Sequence, residues 1–174
     1  MRNLLILGGN SGNNIKWIKA MQKKYSEDYN TRTIFFDNWH DNTDLDFSKE
    51  LVKLKNMVKE IDDYYIVAKS AGAILSLIAI SENIISPNKI AIMGVPLKYA
   101  KQKNINLEDI ITCVGAKKEI LVIQQKNDPQ GKSEEIRKIL PSNIKVIEIM
   151  GNQHTYTKIE MIKSFIDDFF DQKY

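Results

Sequence analysis

Short apolar runs alternate along this chain with longer stretches of helical periodicity, and that alternation constrains the fold more than any other feature. The runs are Asn3–Leu7, Arg32–Phe36, Tyr64–Ala68, Lys89–Met93, Glu119–Gln124 and Lys145–Met150. Strands interleaved with helices read as β-α-β units around a parallel sheet. Most of the runs are continuously hydrophobic rather than alternating, as expected of strands covered on both faces by crossover helices. The pattern predicts an α/β three-layer sandwich with a mainly parallel sheet of about six strands.

The intervening stretches carry apolar stripes. Phe47, Leu51, Leu54, Val58 and Ile61 recur at steps of four and three, which places them on one helical face. Ile159, Ile162, Phe165, Ile166 and Phe169 do the same near the end of the chain, where Thr157 and Glu160 have the spacing of a capping box. Pro141 stops a helix that begins near Ser133. Ala71–Ile80 is apolar or small on nearly every side, as a helix at the centre of a domain would be. With no repeat, linker or low-complexity segment, residues 1–174 read as one domain, and 174 residues is an ordinary domain size.

Charge and cysteine content narrow the function classes. The 25 basic and 22 acidic residues are scattered, with no run of five or six like charges, so neither a nucleic-acid arm nor a membrane patch is expected. Cys113 is the one cysteine, which rules out an intrachain disulfide and any multi-cysteine metal site; beside Ile110, Ile111 and Val114 it reads as a packing residue. Leu4–Leu7 is too short for a signal-peptide apolar region, and no stretch approaches the roughly 18 apolar residues that span a bilayer. A cytoplasmic location follows as the expectation, with no cofactor and no metal.

The sharpest local signal is Ala68-Lys69-Ser70-Ala71-Gly72, between a strand candidate and the central helix. A serine on a tight strand-to-helix turn needs small residues two before and two after it, because the backbones nearly touch there. Ala68 and Gly72 fill those positions, Ala68 where glycine is usual. Such a turn lifts the hydroxyl above the sheet, over a helix N-terminus that favours developing negative charge. Taken alone, the pentapeptide reads equally as a helix start with tight packing.

Two further groups raise its meaning. Asp128 follows the strand Glu119–Gln124 in the loop Lys126–Gly131, and His154 follows Lys145–Met150 in Gly151-Asn152-Gln153-His154. Parallel strands end on one edge of the sheet, so these loops and the Ser70 turn converge there, in the chain order Ser, Asp, His. Separately, Asp128-Pro129 is a plain turn and His154 a loop residue near a helix start.

With Leu7-Gly8-Gly9 after the first strand, these motifs make the chain resemble the α/β-hydrolase superfamily over nearly its whole length. Within it the chain looks most like the compact, capless serine hydrolases, such as small bacterial esterases and the retinoblastoma-binding serine hydrolase type. The resemblance implies a minimal fold that lacks the first two strands of the full superfamily and has no lid after Lys89–Met93. It implies that Ser70 attacks an acyl carbon, that His154 takes the serine proton and that Asp128 orients the imidazole. The oxyanion would be met by the N–H of Ala71 and by a second N–H at Gly9 or Asn10, where the usual His-Gly pair is missing. Some members draw their acid from the preceding connection. There Asp109 sits in Asn106-Leu107-Glu108-Asp109 and reads as a first-turn helix residue. The implied partner is a small-molecule acyl substrate, an ester, thioester or amide, reached through an open cleft. Oligomeric state stays open.

Two other functions compete. Gly8, Gly9 and Gly12 after a first strand, with Asp37 after the second, suggest a Rossmann-like nucleotide site, although neither the glycine spacing nor the Asp37 position fits the fingerprint. A hydrolase scaffold without activity, serving as a binding module, is the other. Among the remaining residues, Trp39 is the pocket candidate and Trp17 a packing residue. Lys69 points outward at the pocket mouth or covers surface with its stem, and His40 is a solvated loop residue. Asp41, Asp44 and Asp46 start the next helix rather than bind calcium.

Overall fold

The computed structural model describes residues 1–41 and 43–172. Six parallel strands form one sheet: β1 (Arg2–Leu7), β2 (Tyr29–Ile34), β3 (Tyr64–Lys69), β4 (Lys89–Met93), β5 (Glu119–Gln125) and β6 (Lys145–Ile149). Their order is β2-β1-β3-β4-β5-β6, and every neighbouring pair is parallel. The chain winds outward from β1 to β2, then returns to the other side of β1 at β3. The loops after β1 and β3 therefore part at a topological switch point, where crevices open in sheets of this kind.

Among the described residues seven α-helices cover the two faces: α1 (Asn14–Tyr25), α2 (Phe47–Val58), α3 (Ala71–Ser81), α4 (Leu97–Gln102), α5 (Leu107–Gly115), α6 (Ser133–Ile139) and α7 (Ile159–Asp171). α3 packs against α2 and α5, and α1 packs against α7. Every residue of β3 and β4 is buried, which is why these strands read as unbroken apolar runs. α3 lacks a polar face because it lies between sheet and helices, with all but Ile78 and Ser81 buried. At Gly72 a Cβ would stand 2.5 Å from the Gly8 oxygen and 2.8 Å from Leu7 Cβ, so glycine is what lets α3 approach β1.

Three expectations shift. β2 begins and ends earlier than Arg32–Phe36. Its limits are set by in-register pairing with β1, from Arg2 opposite Tyr29 to Leu7 opposite Ile34, and not by the apolar Phe35-Phe36, which lead out of the sheet. α7 starts at Ile159 without a side-chain cap; Glu160 turns away from Thr157 to pair with Lys24 on α1. Cys113 is half-buried rather than enclosed. The stripe on α2 holds, and Asp46 caps that helix by accepting from the Lys49 N–H at 3.2 Å. Among the described residues no helix is long and apolar enough to cross a membrane. Residues 94–118, between β4 and β5, form α4 and α5 instead of a lid, and α4 supplies one wall of the cleft described next.

Candidate active site

β3 delivers its last residues straight into α3, and Ser70 makes the corner with φ 55° and ψ −121°. A side chain at positive φ is strained, a condition that clusters at functional sites. Neighbouring backbone holds it: the Ser70 N–H donates to Met93 O at 3.0 Å, and the Gly72 N–H donates to Gly8 O at 2.9 Å. Ser70 is 8% exposed, with its hydroxyl on the edge where β1, β3, β5 and β6 all end.

From the far end of that edge His154 reaches in. Its Nε2 lies 2.7 Å from Ser70 Oγ, and its Nδ1 lies 2.9 Å from both oxygens of Asp128. An ionised carboxylate only accepts, so Nδ1 carries the proton, and Nε2 is left to accept from the serine hydroxyl. The Asp128 side chain is wholly enclosed, whereas that of His154 keeps 23% of its surface in the cleft. Asp128 also accepts from the Gln130 N–H at 2.8 Å and from the Tyr156 hydroxyl at 2.7 Å. Burial pushes the Tyr156 phenol up, so it remains a neutral donor. Its oxygen accepts in turn from the Gln125 N–H at 3.0 Å. Gly94 makes room for this cluster: at φ +58°, a Cβ there would meet Tyr156 Cε2 at 2.6 Å and His154 Cε1 at 3.1 Å.

Two glutamines at the end of β5 pin the loops of Asp128 and His154 and the turn after β4. Gln124 accepts from the Val95 N–H and donates to Gly131 O, and Gln125 accepts from the Gln153 N–H. Across the switch point, Gly9 lies against the serine, since a Cβ on it would be 3.1 Å from Ser70 Cβ. Trp39 Nε1 donates to Gly9 O at 3.1 Å, and Asn38 Nδ2 donates to Asn10 O at 2.9 Å. In a trans peptide the N–H points opposite to the preceding carbonyl. Anchoring Gly9 O on Trp39 thus turns the Asn10 N–H away from Trp39. Among the described residues, the N–H groups of Asn10 and Ala71 have no hydrogen-bond partner.

These groups border a cleft of about 630 Å³. Ser70, His154, Gly9 and Asn10 line it, as does Lys69. The two tryptophans exchange their expected places. Trp39 is absent from the cleft wall, because its ring is buried beneath the Gly9 loop beside Phe36. Trp17 lines the cleft, with Nε1 donating to Tyr156 O at 3.1 Å. Lys69 does not point outward: it is 6% exposed and turned into the cleft. His40 is exposed, and Asp109 sits in the first turn of α5, accepting from its Asn106 cap. Asp37 is engaged by Lys53 on α2. Sequence reading missed Tyr156, Asn14 and Tyr99. Tyr156 carries no motif, and its signal lies only in its position two residues after His154.

Solved structures share this fold over nearly the whole chain. The chain superposes on ferulic acid-bound Est1E from Butyrivibrio proteoclasticus with a TM-score of 0.78 and 15% identity, covering 98% of this chain and 88% of that one. This chain has the α/β-hydrolase fold. Naproxen esterase (carboxylesterase NP) from Bacillus subtilis gives a TM-score of 0.74 at 10% identity, over 98% of this chain and 84% of that one. The ydeN gene product of B. subtilis gives 0.70 at 14% identity, over 99% of this chain and 100% of that one. The last match shows that the α/β-hydrolase fold occurs elsewhere in a similarly compact form. No protein-family model and no curated protein matches the sequence. At these identities the likeness extends to the fold, and a fold of this kind hosts many chemistries.

Proposed function

We propose that the protein is a serine hydrolase that cleaves a small ester, thioester or amide through an acyl-enzyme on Ser70. The observation that carries this reading is the continuous hydrogen-bond chain from Ser70 Oγ through His154 to Asp128, with links of 2.7 and 2.9 Å, on a serine held at φ 55°. Nucleophile, base and orienting acid in hydrogen-bond reach of one another are the geometry that acyl transfer requires.

In the forward half-reaction Ser70 Oγ bonds to the acyl carbon while its proton passes to His154 Nε2. The imidazolium that forms is stabilised by Asp128. The tetrahedral oxyanion is received by the Ala71 N–H, at the head of α3, and by the Asn10 N–H. Both are backbone donors with no other partner, so no bond needs breaking to receive the charge. Collapse returns the proton from Nε2 to the leaving oxygen, sulfur or nitrogen. Water then repeats the sequence on the acyl-enzyme and frees Ser70. The neighbours named for esterase activity support ester chemistry by analogy of fold.

A fluorophosphonate probe tests the reading directly. The wild-type chain should be labelled at Ser70 and should hydrolyse 4-nitrophenyl esters, and Ser70→Ala should abolish labelling and nearly all turnover while leaving the circular dichroism spectrum unchanged. Retention of a tenth or more of the wild-type rate in Ser70→Ala would exclude Ser70 as the nucleophile.

A further inference from the structure

Lys69, immediately before the nucleophile, is a buried cation with no carboxylate of its own. Its side chain runs into the cleft, where Nζ lies 3.4 Å from Thr155 O and 5.1 Å from the centre of the Trp17 ring. The nearest acid that acts on it is Asp128, and that carboxylate is enclosed and already engaged by His154, Tyr156 and Gln130. Burial pushes the ammonium down to about 8, which leaves it charged at neutral pH. Buried charges are ordinarily paired, because an unpaired one forfeits its hydration.

The rest of the cleft points the same way. No aspartate or glutamate lines it among the described residues, while a second cation, Lys16, stands exposed at its rim. One buried donor on its wall has no partner, the Tyr99 hydroxyl. Burial also pushes the Tyr99 phenol up, so it is a donor. A single buried ammonium, a free hydroxyl donor and an apolar indole wall match one negative charge at the end of a short carbon chain. A dianionic phosphate would leave half its charge unanswered there.

We propose that the substrate carries a carboxylate, and that Lys69 binds it and sets specificity; this rests on the serine hydrolase reading of the same cleft. The spacing limits the chain between the carboxylate and the scissile bond. Lys69 neighbours Ser70 in the chain and its head abuts Thr155, the neighbour of His154. The ammonium and the reacting atoms therefore border the same cleft through neighbouring residues. A short intervening carbon chain suits that placement.

Two matched pairs of esters test this, one for each side of the scissile bond. The first is mono-4-nitrophenyl adipate against 4-nitrophenyl hexanoate; the second is 4-(butanoyloxy)butanoate against pentyl butanoate. In at least one pair the wild-type enzyme should favour the anionic member in kcat/KM by roughly tenfold or more, the range of a charge-assisted hydrogen bond. In Lys69→Met and Lys69→Gln that ratio should fall to about one. Because each ratio is internal to one preparation, partial misfolding does not distort it. Equal or poorer use of the anionic member in both pairs by the wild-type enzyme overturns the proposal and leaves the hydrolase reading intact, and so does a preference that survives both substitutions. If no ester turns over and the fluorophosphonate does not label, the hydrolase reading fails. The carboxylate site is then judged by titration calorimetry of the Ser70→Ala protein with hexanoate and hexanamide. Binding of hexanoate alone, lost in the Ser70→Ala, Lys69→Met double variant, upholds the site; no selective binding overturns it.

Discussion

The Tyr156 hydroxyl donates to Asp128 Oδ2 at 2.7 Å, on the same carboxylate that faces His154 Nδ1. Tyr156 lies two residues beyond that histidine, at φ 54°. It therefore closes a ring in which the loop after β6 supplies both the imidazole and the group that steadies its acid. Its backbone oxygen receives Trp17 Nε1, which ties the cleft wall to the same element.

Tyr156→Phe should lower kcat by about tenfold with KM for a neutral ester within roughly twofold. The substitution keeps the ring and removes one hydrogen bond to a charged group, an interaction worth about 1.5–3 kcal/mol. It also strands the Gln125 N–H in a buried position. Steady-state kinetics on 4-nitrophenyl acetate checks it. A change confined to KM would mean that Tyr156 shapes the cleft and leaves Asp128 unaffected.

Asp128→Asn should depress kcat far more, by about four orders of magnitude, because an amide facing Nδ1 stabilises the wrong imidazole tautomer. Asp109→Asn should leave the rate within about twofold, since that residue is occupied at the start of α5 by Asn106. Both variants are to be compared on one ester, with folding followed by circular dichroism. A crippled Asp109→Asn beside a healthy Asp128→Asn would move the acid role to the other loop.

The convergence of Ser70, Asp128 and His154 was legible because it depends on chain order alone: each follows a parallel strand, and parallel strands share an edge. Lys89–Met93 was legible to the residue because β4 is buried on both faces, so hydrophobicity and strand limits coincide. β2 was not. It is an edge strand whose middle residues are half-exposed, and pairing with β1 rather than apolar content sets its ends. Nor could sequence distinguish the roles of Trp17 and Trp39. Both follow strands that end at the active edge, and only the packed structure decides which ring lies under the glycine loop and which faces the cleft. Glu50 illustrates the same limit. It interrupts the apolar face of α2 yet is buried, because it accepts from the Asp37 N–H and from Lys53.

Trp39→Phe should slow acylation by about tenfold without weakening substrate binding. The indole N–H fixes Gly9 O, and through that peptide it sets the direction of the Asn10 N–H. Loss of one oxyanion donor costs about a hundredfold or more, and a donor that is loosened but retained should cost less. The rate of fluorophosphonate labelling reports acylation directly, and KM for a neutral ester reports binding. A labelling rate equal to wild type would remove Trp39 from the positioning of the oxyanion loop.

Replacing Lys69 by Met should stabilise the protein at neutral pH and progressively less above it. In the folded chain burial pushes this ammonium down to about 8, whereas an unfolded lysine titrates near about 10.4. Below pH 8 both states are protonated, and the folded state alone bears the cost of the buried charge. Between about pH 8 and 10.4 the folded chain releases the proton first, so wild-type stability recovers relative to Met. Above that range the electrostatic penalty is gone. A depression of this size corresponds to about 3 kcal/mol, reduced by whatever the Thr155 carbonyl and the Trp17 ring return. The difference should therefore be about 1–3 kcal/mol in favour of Lys69→Met in urea unfolding at pH 6.5, shrinking towards zero at pH 10.5. Other titrating groups cancel in the comparison because they are common to both proteins. A variant less stable than wild type by the same amount at both pH values would show that the lysine stem and its packing on Trp17 dominate. A gain confined to the lower pH would identify Lys69 as a charge retained at a cost to stability, as a residue kept for binding would be.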